Sequence, residues 1–268
     1  MLQKINALLW EGDISNDLEL GPIVRQHRMK LLNNGWRGTL YKKIHTRILT
    51  ELYLAPMQFV PGMRILELGC GEALELFEIV NLGGYGYGID IRPDRVSLVN
   101  KCAHYLEMDI KAYQSDACSL NFKSSSFDVV MATSFFEHVY DDKSALSEAV
   151  RVLRPGGFLI IRDGNILDPL HLFEILIRRP ISTYGKIGGI SWIRNKGKLL
   201  KSVPIGNYFG KDEDWKTIYW WGKTLAGNKD ISINVLSTVI TYLWFRSFKI
   251  SKVMRPFFGG IFLVAQKQ

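Results

Sequence analysis

The chain has 268 residues, 47% of them hydrophobic, with 34 Lys and Arg against 26 Asp and Glu. That length and apolar content predict one domain with an insertion, not two full domains. Cys70, Cys102 and Cys118 are odd in number and lack metal-ligand spacing, so they read as small buried residues in a reducing compartment, not as a disulfide framework.

Residues 1–60 read as an N-terminal helical cap. Apolar residues recur at three- and four-residue spacings over 16–33 and 36–54, punctuated by Gly35 and Gly38. No basic stretch followed by an apolar run opens the chain, so no signal peptide is expected and the setting is read as cytoplasmic. Pro61-Gly62 leads into a first strand, Arg64 to Leu68. It carries the acid Glu67 near its end and runs into the turn Gly69-Cys70-Gly71, after which a helix is expected over 72–82. A second strand, Tyr85 to Ile89, ends in Asp90, twenty-one residues after Gly69. Glycines let backbone approach a ligand closely, and an acid at that distance is placed to grip a ribose diol. The pair predicts a nucleoside-containing cofactor.

The loop itself argues about which one. A dinucleotide site wants a third glycine where this chain has Leu74, and a diphosphate at the helix N-terminus would meet Glu72 and Glu75. S-adenosylmethionine has no phosphate and carries a positive sulfonium, which suits a rim of Glu67, Glu72, Asp90 and Asp116.

A helix over 93–104 follows, with Pro93 in its first turn, where proline is tolerated. A third strand over 110–115 leads to Asp116-Ala117, a fourth spans Phe127 to Ala132, and a helix is expected over 142–153. Leu153-Arg154-Pro155-Gly156-Gly157 then turns into a fifth strand ending near Ile161. Strand, helix and strand alternate as in a parallel sheet with crossover helices. The uncharged run 231–245 is fifteen residues, short of the roughly 20 that span a bilayer, and is read as a core helix. Residues 248–254 alternate apolar and polar, and Ile261 to Ala265 is a buried strand; together they read as a closing hairpin.

The motifs ELGCGEA, YGID, SDA, FDVVMATSFFEHV and LRPGGFLII resemble those of the class I S-adenosylmethionine-dependent methyltransferases, in particular the small-molecule group that contains quinone-biosynthesis enzymes. The resemblance covers about residues 60–163 and the tail. It implies an α/β, Rossmann-like, doubly wound sheet of seven strands with an antiparallel last strand, an N-terminal helical leader and an insertion between strands five and six. The divisions are then 1–60, a cofactor-binding core over 61–163, a substrate-facing insertion over 164–230, and a C-terminal helix and strand hairpin over 231–268. It also implies that S-adenosylmethionine is held by Glu67, Gly69, Cys70, Gly71, Asp90, Ile91, Asp116, Ala117 and Thr133. Asp90 takes the ribose hydroxyls and Asp116 the adenine amino group. Ala73 departs from the pattern, since many members have a third glycine there.

For an acceptor hydroxyl, His138 is the first candidate for general base, because its ordinary pKa lies near working pH; a loop cap is the other role that fits it. Glu137 and Asp163 complete the catalytic set, and His171 is a weaker candidate. No His, Asp and Glu cluster has convincing metal spacing, although Glu137 with His138 suits a catechol-type cation site. Residues 1–163 carry 18 basic against 20 acidic residues, and residues 164–268 carry 16 against 6. The excess lies in the insertion, with Trp192, Trp215, Trp220 and Trp221. A basic, aromatic insertion suits a small-molecule or lipid-linked substrate and peripheral contact with an anionic membrane; a solvated lid fits as well. Nucleic acid is disfavoured, because the Asn/Asp-Pro-Pro-Tyr/Phe box is replaced by Ala132-Thr133-Ser134-Phe135-Phe136. The reading is O-methylation of a small-molecule, glycan or lipid-linked acceptor, with an RNA-modifying enzyme or a non-catalytic cofactor-binding protein as alternatives.

Overall fold

The computed structural model describes residues 48–164, 203–204, 214–215, 221, 223–225, 228–238 and 260–268. The chain divides into two compact units, Met1–Ser115 and Asp116–Gln268.

In the first unit a π-helical turn, Leu49–Leu54, buries Leu49, Leu52 and Tyr53. Strand β1, Arg64–Leu68, is exposed at its first residue and buried at the next four, the pattern of a strand covered on both faces. It pairs in parallel with β2, Tyr85–Asp90, which pairs in parallel with β3, Ile110–Gln114. Helix α1, Leu74–Val80, connects β1 to β2, and α2, Pro93–Tyr105, connects β2 to β3. α1 starts two residues later than its apolar pattern predicts, because Ala73 adopts the left-handed conformation, with φ of 53°. α2 opens with its proline at the first turn, as expected. Asn100 of α2 makes two hydrogen bonds to the backbone of Ala112, pinning the helix to β3.

Two glycines of β2 make this packing possible. A Cβ on Gly86 would lie 2.8 Å from Val80 Cγ2 and 2.9 Å from Ile110 Cγ1. One on Gly88 would lie 2.7 Å from the Cys70 sulfur. Both spaces are already filled by core side chains.

In the second unit β4, Phe127–Thr133, pairs in parallel with β5, Leu153–Asp163. Their register jumps from Phe127 opposite Leu153 to Val129 opposite Phe158, so the Arg154-Pro155-Gly156-Gly157 turn bulges out of the ladder. Helix α3, Asp142–Val152, is capped by Asp141, whose side chain accepts from the Ser144 N–H at 3.1 Å and from its hydroxyl at 2.6 Å. At its other end Lys267 Nζ donates to the carbonyls of Val150 and Leu153 at 2.8 and 2.7 Å, satisfying acceptors that a helix terminus leaves open. The loop after Ser115 is held by the same helix. Arg151 donates to the carbonyls of Leu120 and Phe122, while Glu148 accepts from the Leu120 N–H and from Arg151. The Arg151 guanidinium accordingly holds the Glu148 carboxyl below its usual range.

A short ladder pairs β6, Val203–Pro204, with β7, Asp214–Trp215, inside the predicted insertion. β5 is followed antiparallel by β9, Ile261–Lys267, and β9 by β8, Ile231–Thr238. Seven strands thus form one mixed sheet in the order β3-β2-β1-β4-β5-β9-β8, with the last strand, β9, antiparallel to both its neighbours, as predicted.

The identity of the sixth sheet strand corrects the sequence reading. Residues 231–238 are a strand, not the start of a core helix, and the hairpin partner of β9 is this segment. Ile231, Ile233 and Val235 supply the β-branched alternation of a strand. A register shift between Ile233 and Val235 then breaks that alternation at exposed Asn234. The predicted partner strand at 248–254 lies outside the described residues, as do most of the helical cap at 1–60 and most of the insertion. Among the described residues no helix is long and apolar enough to cross a membrane.

Candidate cofactor and catalytic sites

In the first unit the turn between β1 and α1 places the predicted cofactor residues together. Gly69, Gly71 and Ala73 take φ of 59°, 52° and 53°, so left-handed residues alternate along the turn. Glycine adopts that conformation freely; Ala73 does so at a cost of about 1–2 kcal/mol. The N–H groups of Cys70 and Ala73 donate to the carbonyls of Ile89 and Cys70, and the acceptor that receives the Gly71 N–H is Asp90. Its Oδ2 receives the Gly71 N–H at 3.0 Å, and its Oδ1 receives the Arg92 N–H at 2.9 Å. One carboxylate therefore ties the glycine turn to the turn after β2. Each oxygen keeps acceptor capacity for a further donor, such as a ribose hydroxyl.

Around this pair lie the other predicted residues. Glu67 is 3% exposed. Cys70 is buried and donates its N–H to the Ile89 carbonyl at 2.8 Å. Burial first, then the charges of Glu67 and Asp90, push its thiol far above the ordinary range, so it stays protonated and inert. Ile91, directly after Asp90, is 69% exposed, an apolar side chain open to a ring face. Space for a ligand exists at the turn, since no heavy atom lies within 4 Å of where a Gly71 Cβ would point. These features fit S-adenosylmethionine. The acidic rim is more nearly neutral than its sequence suggests, because Glu72 pairs with Arg95 at 2.6 Å.

In the second unit Asp116 opens the loop after β3. Its Oδ1 accepts from the Cys118 N–H at 2.8 Å and its Oδ2 from the Tyr140 hydroxyl at 2.9 Å. The Cys118 N–H and then the Tyr140 hydroxyl hold the carboxyl below its usual range, so it is an acceptor only. Ala117 beside it is buried. The sequence reading did not include Tyr140, and it took Cys118 for a buried residue, whereas Cys118, like Cys102, is only partly buried.

The catalytic candidates follow β4. Thr133 ends the strand opposite Arg162, and Ser134 continues the ladder by donating to the Arg162 carbonyl at 2.7 Å. A tight turn, with the His138 N–H on the Phe135 carbonyl at 2.9 Å, then presents Glu137 and His138. Glu137 is 8% exposed; its Oε2 accepts from the Gly164 N–H at 3.2 Å and its Oε1 lies 3.6 Å from His138 Nε2. The His138 side chain is 50% exposed. Glu137 is thus fixed by the end of β5, with Oε1 towards the Nε2 side of the His138 ring. Asp163 is buried at the end of β5, where its backbone lies against Gly260 so closely that a Cβ there would sit 2.7 Å from the Asp163 carbonyl oxygen. Under this turn Phe136 meets Trp221 edge to face, ring centroids 5.0 Å apart, both fully buried. Trp221 is therefore a core residue of the second unit. Among the described residues no group of three or more His, Cys, Asp and Glu is arranged to hold a metal ion. His171 and the basic run 178–201 lie outside the described residues.

Residues 66–161 match the protein family described as a methyltransferase domain. The chain is 29% identical over 161 residues to the ubiquinone biosynthesis O-methyltransferase of Cereibacter sphaeroides, covering 60% of this chain and 56% of that one. It is similar in fold to a SAM-dependent methyltransferase from Methanosarcina mazei, with TM-score 0.55 and 20% identity over 78% of this chain and 94% of that one. It is likewise similar in fold to the [4+2]-cyclase SpnF, with TM-score 0.57 and 16% identity over 82% and 81%. The chain spans about half the length of the curated relatives it matches. Together with the glycine turn tied to Asp90 and the seven-stranded mixed sheet, the match makes residues 66–161 a domain of the class I S-adenosylmethionine-dependent methyltransferases, whose cofactor is S-adenosylmethionine.

Proposed function

We propose that this chain transfers the methyl group of S-adenosylmethionine to an oxygen of a small-molecule, glycan or lipid-linked acceptor. The observation that carries the reading is the Gly71–Asp90–Arg92 arrangement, in which one carboxylate fixes both turns and retains lone pairs for ribose hydroxyls. Gly69 and Gly71 leave room for the cofactor backbone, Asp90 grips the ribose, and Asp116 accepts from the adenine amino group. The cofactor supplies an electrophilic methyl carbon on a sulfonium.

With the cofactor bound, that carbon would be open to in-line attack by an acceptor hydroxyl, with S-adenosylhomocysteine as the leaving group. His138 Nδ1 takes the hydroxyl proton as the carbon–oxygen bond forms, and Glu137 stabilises the resulting imidazolium. Much of the rate comes from holding the reactants in line and excluding water. Oxygen is favoured because a base beside the site helps a hydroxyl more than an amine or carbanion. The O-methyltransferase name carried by a relative supports the same choice. The run 178–201 holds seven basic residues, no acid, and Ile181, Tyr184, Ile187, Ile190, Trp192 and Ile193. That mixture suits an anionic lipid surface better than RNA, at roughly 1 kcal/mol per engaged basic residue.

The test has two stages. Calorimetry should give S-adenosylhomocysteine binding and no NAD binding; the reverse would remove the reading. Purified protein with labelled S-adenosylmethionine is then offered catechols, prenylated quinols, glycans and tRNA, with anionic vesicles present and absent. Label on an oxygen of one of the first three supports the proposal. Label on tRNA alone makes the chain an RNA-modifying enzyme. Cofactor binding without transfer to any acceptor moves the reading towards another chemistry or a binding role; the likeness to a cyclase gives the former a precedent in fold.

A further inference from the structure

Tyr140 is 80% exposed, yet its hydroxyl is directed onto Asp116 Oδ2 at 2.9 Å. Its ring serves no core, so the hydroxyl's contacts with Asp116 and with the Cys118 side chain give the side chain its place. We propose that Tyr140 is a positioning residue that sets the purine specificity of the cofactor site by orienting the Asp116 carboxylate. The inference rests on the reading of Asp116 as the adenine acceptor.

Four residues make the arrangement rigid. Cys118 donates its N–H to Asp116 Oδ1 at 2.8 Å, and its thiol contacts the Asp141 carbonyl at 3.4 Å. Asp141, next in chain to Tyr140, is held by capping α3. Two parallel links therefore join the 116–118 loop to the start of α3, and the Tyr140 hydroxyl arrives from a helix terminus, not from a free loop. The terminal torsion of a carboxylate is broad and two-fold, so an aspartate bonded on one oxygen only can swing. Donors on both oxygens stop that motion and leave the remaining lone pairs in fixed directions.

A fixed, ionised carboxylate accepts from a 6-amino purine and repels a 6-oxo purine, whose carbonyl brings a second acceptor to the same place. Discrimination of this kind depends on geometry, since a carboxylate that can turn aside relieves the repulsion as well as losing the bond. Tyr140 thus acts through Asp116 on the identity of the base, and not on the methyl group.

The experiment is calorimetry with S-adenosylhomocysteine and with S-inosylhomocysteine, on the full chain and two variants. In the parent protein the adenosyl compound should bind much more tightly. Tyr140→Phe should weaken it about tenfold, the loss of one hydrogen bond to a charged group, with the inosyl compound unchanged or slightly tighter, so that the preference collapses. The melting temperature should stay unchanged, because the side chain is exposed. A preference unchanged in Tyr140→Phe, or an adenosyl compound that binds more tightly, overturns the inference. Asp116→Asn separates the two readings. If it loses adenosyl affinity while Tyr140→Phe keeps its preference, Tyr140 alone is misassigned. If it binds the adenosyl compound as the parent does, Asp116 is not the adenine acceptor and both readings fall.

Discussion

Replacing Asp90 separates a turn-stapling role from a ligand role. The carboxylate receives the part-buried Gly71 N–H and the exposed Arg92 N–H. Asp90→Ala strands both. The exposed donor turns to water at little cost, whereas the part-buried one costs about 1–3 kcal/mol of stability. Asp90→Asn keeps one oxygen, which will go to Gly71, and sets its amide nitrogen towards Arg92; about 1 kcal/mol is the expected loss. Cofactor binding responds differently. The ribose hydroxyls lose an ionic acceptor in either variant, so S-adenosylhomocysteine should bind more weakly by about 1–3 kcal/mol, roughly 5- to 150-fold, in both. Urea unfolding gives the first pair of numbers and calorimetry the second. A variant that is destabilised as expected but binds within twofold of the parent would reduce Asp90 to a staple and refute the ligand assignment.

Gly88→Ala should cost about 1–3 kcal/mol in urea unfolding, because the new methyl meets the Cys70 sulfur at 2.7 Å, and Cys70→Ala in the same chain should return part of that loss. Burial, then the charge of Glu75, raises the Glu78 carboxyl from 4.5 to about 7. The folded state therefore holds that proton longer than the unfolded chain, and stability falls as pH rises from about 4.5 through 7. Glu78→Gln should match the parent in stability profile near pH 4 and gain about 1–3 kcal/mol on it by pH 8, read from melts across pH; parallel profiles would contradict the assignment. His138→Ala should lower turnover by roughly 10²–10⁴ with S-adenosylhomocysteine affinity intact, and near-normal turnover would leave catalysis to positioning.

The parallel half of the sheet was legible because its strands are short apolar runs bounded by glycine, proline or acid, and each signal is local. Asp90 was legible for the same reason: its spacing from Gly69 is fixed by one strand–helix–strand unit. The antiparallel end was not. The bulge at Asn234 interrupts the alternation that marks β8, and its pairing with β9 joins segments far apart in sequence. The ion pair of Glu72 with Arg95 and the bond of Tyr140 to Asp116 are also non-local, twenty-three and twenty-four residues apart. Nothing in a residue's own neighbourhood signals such a partner. Ala73 shows a subtler limit, since a residue other than glycine takes the left-handed conformation there.

The pair Glu148 and Arg151 gives the loop beyond Asp116 an unusual thermodynamic affiliation. Its backbone groups at Leu120 and Phe122 are satisfied by side chains of α3 and not by a neighbouring strand. The loop therefore has no sheet ladder to protect it, and its opening is governed by the fraying of the last turns of a helix. In amide exchange, Leu120 should therefore open together with Val150 and Arg151, although it lies some thirty residues from them in the chain. Substitutions that stiffen or loosen the C-terminal turn of α3 should then shift the opening of this loop with it.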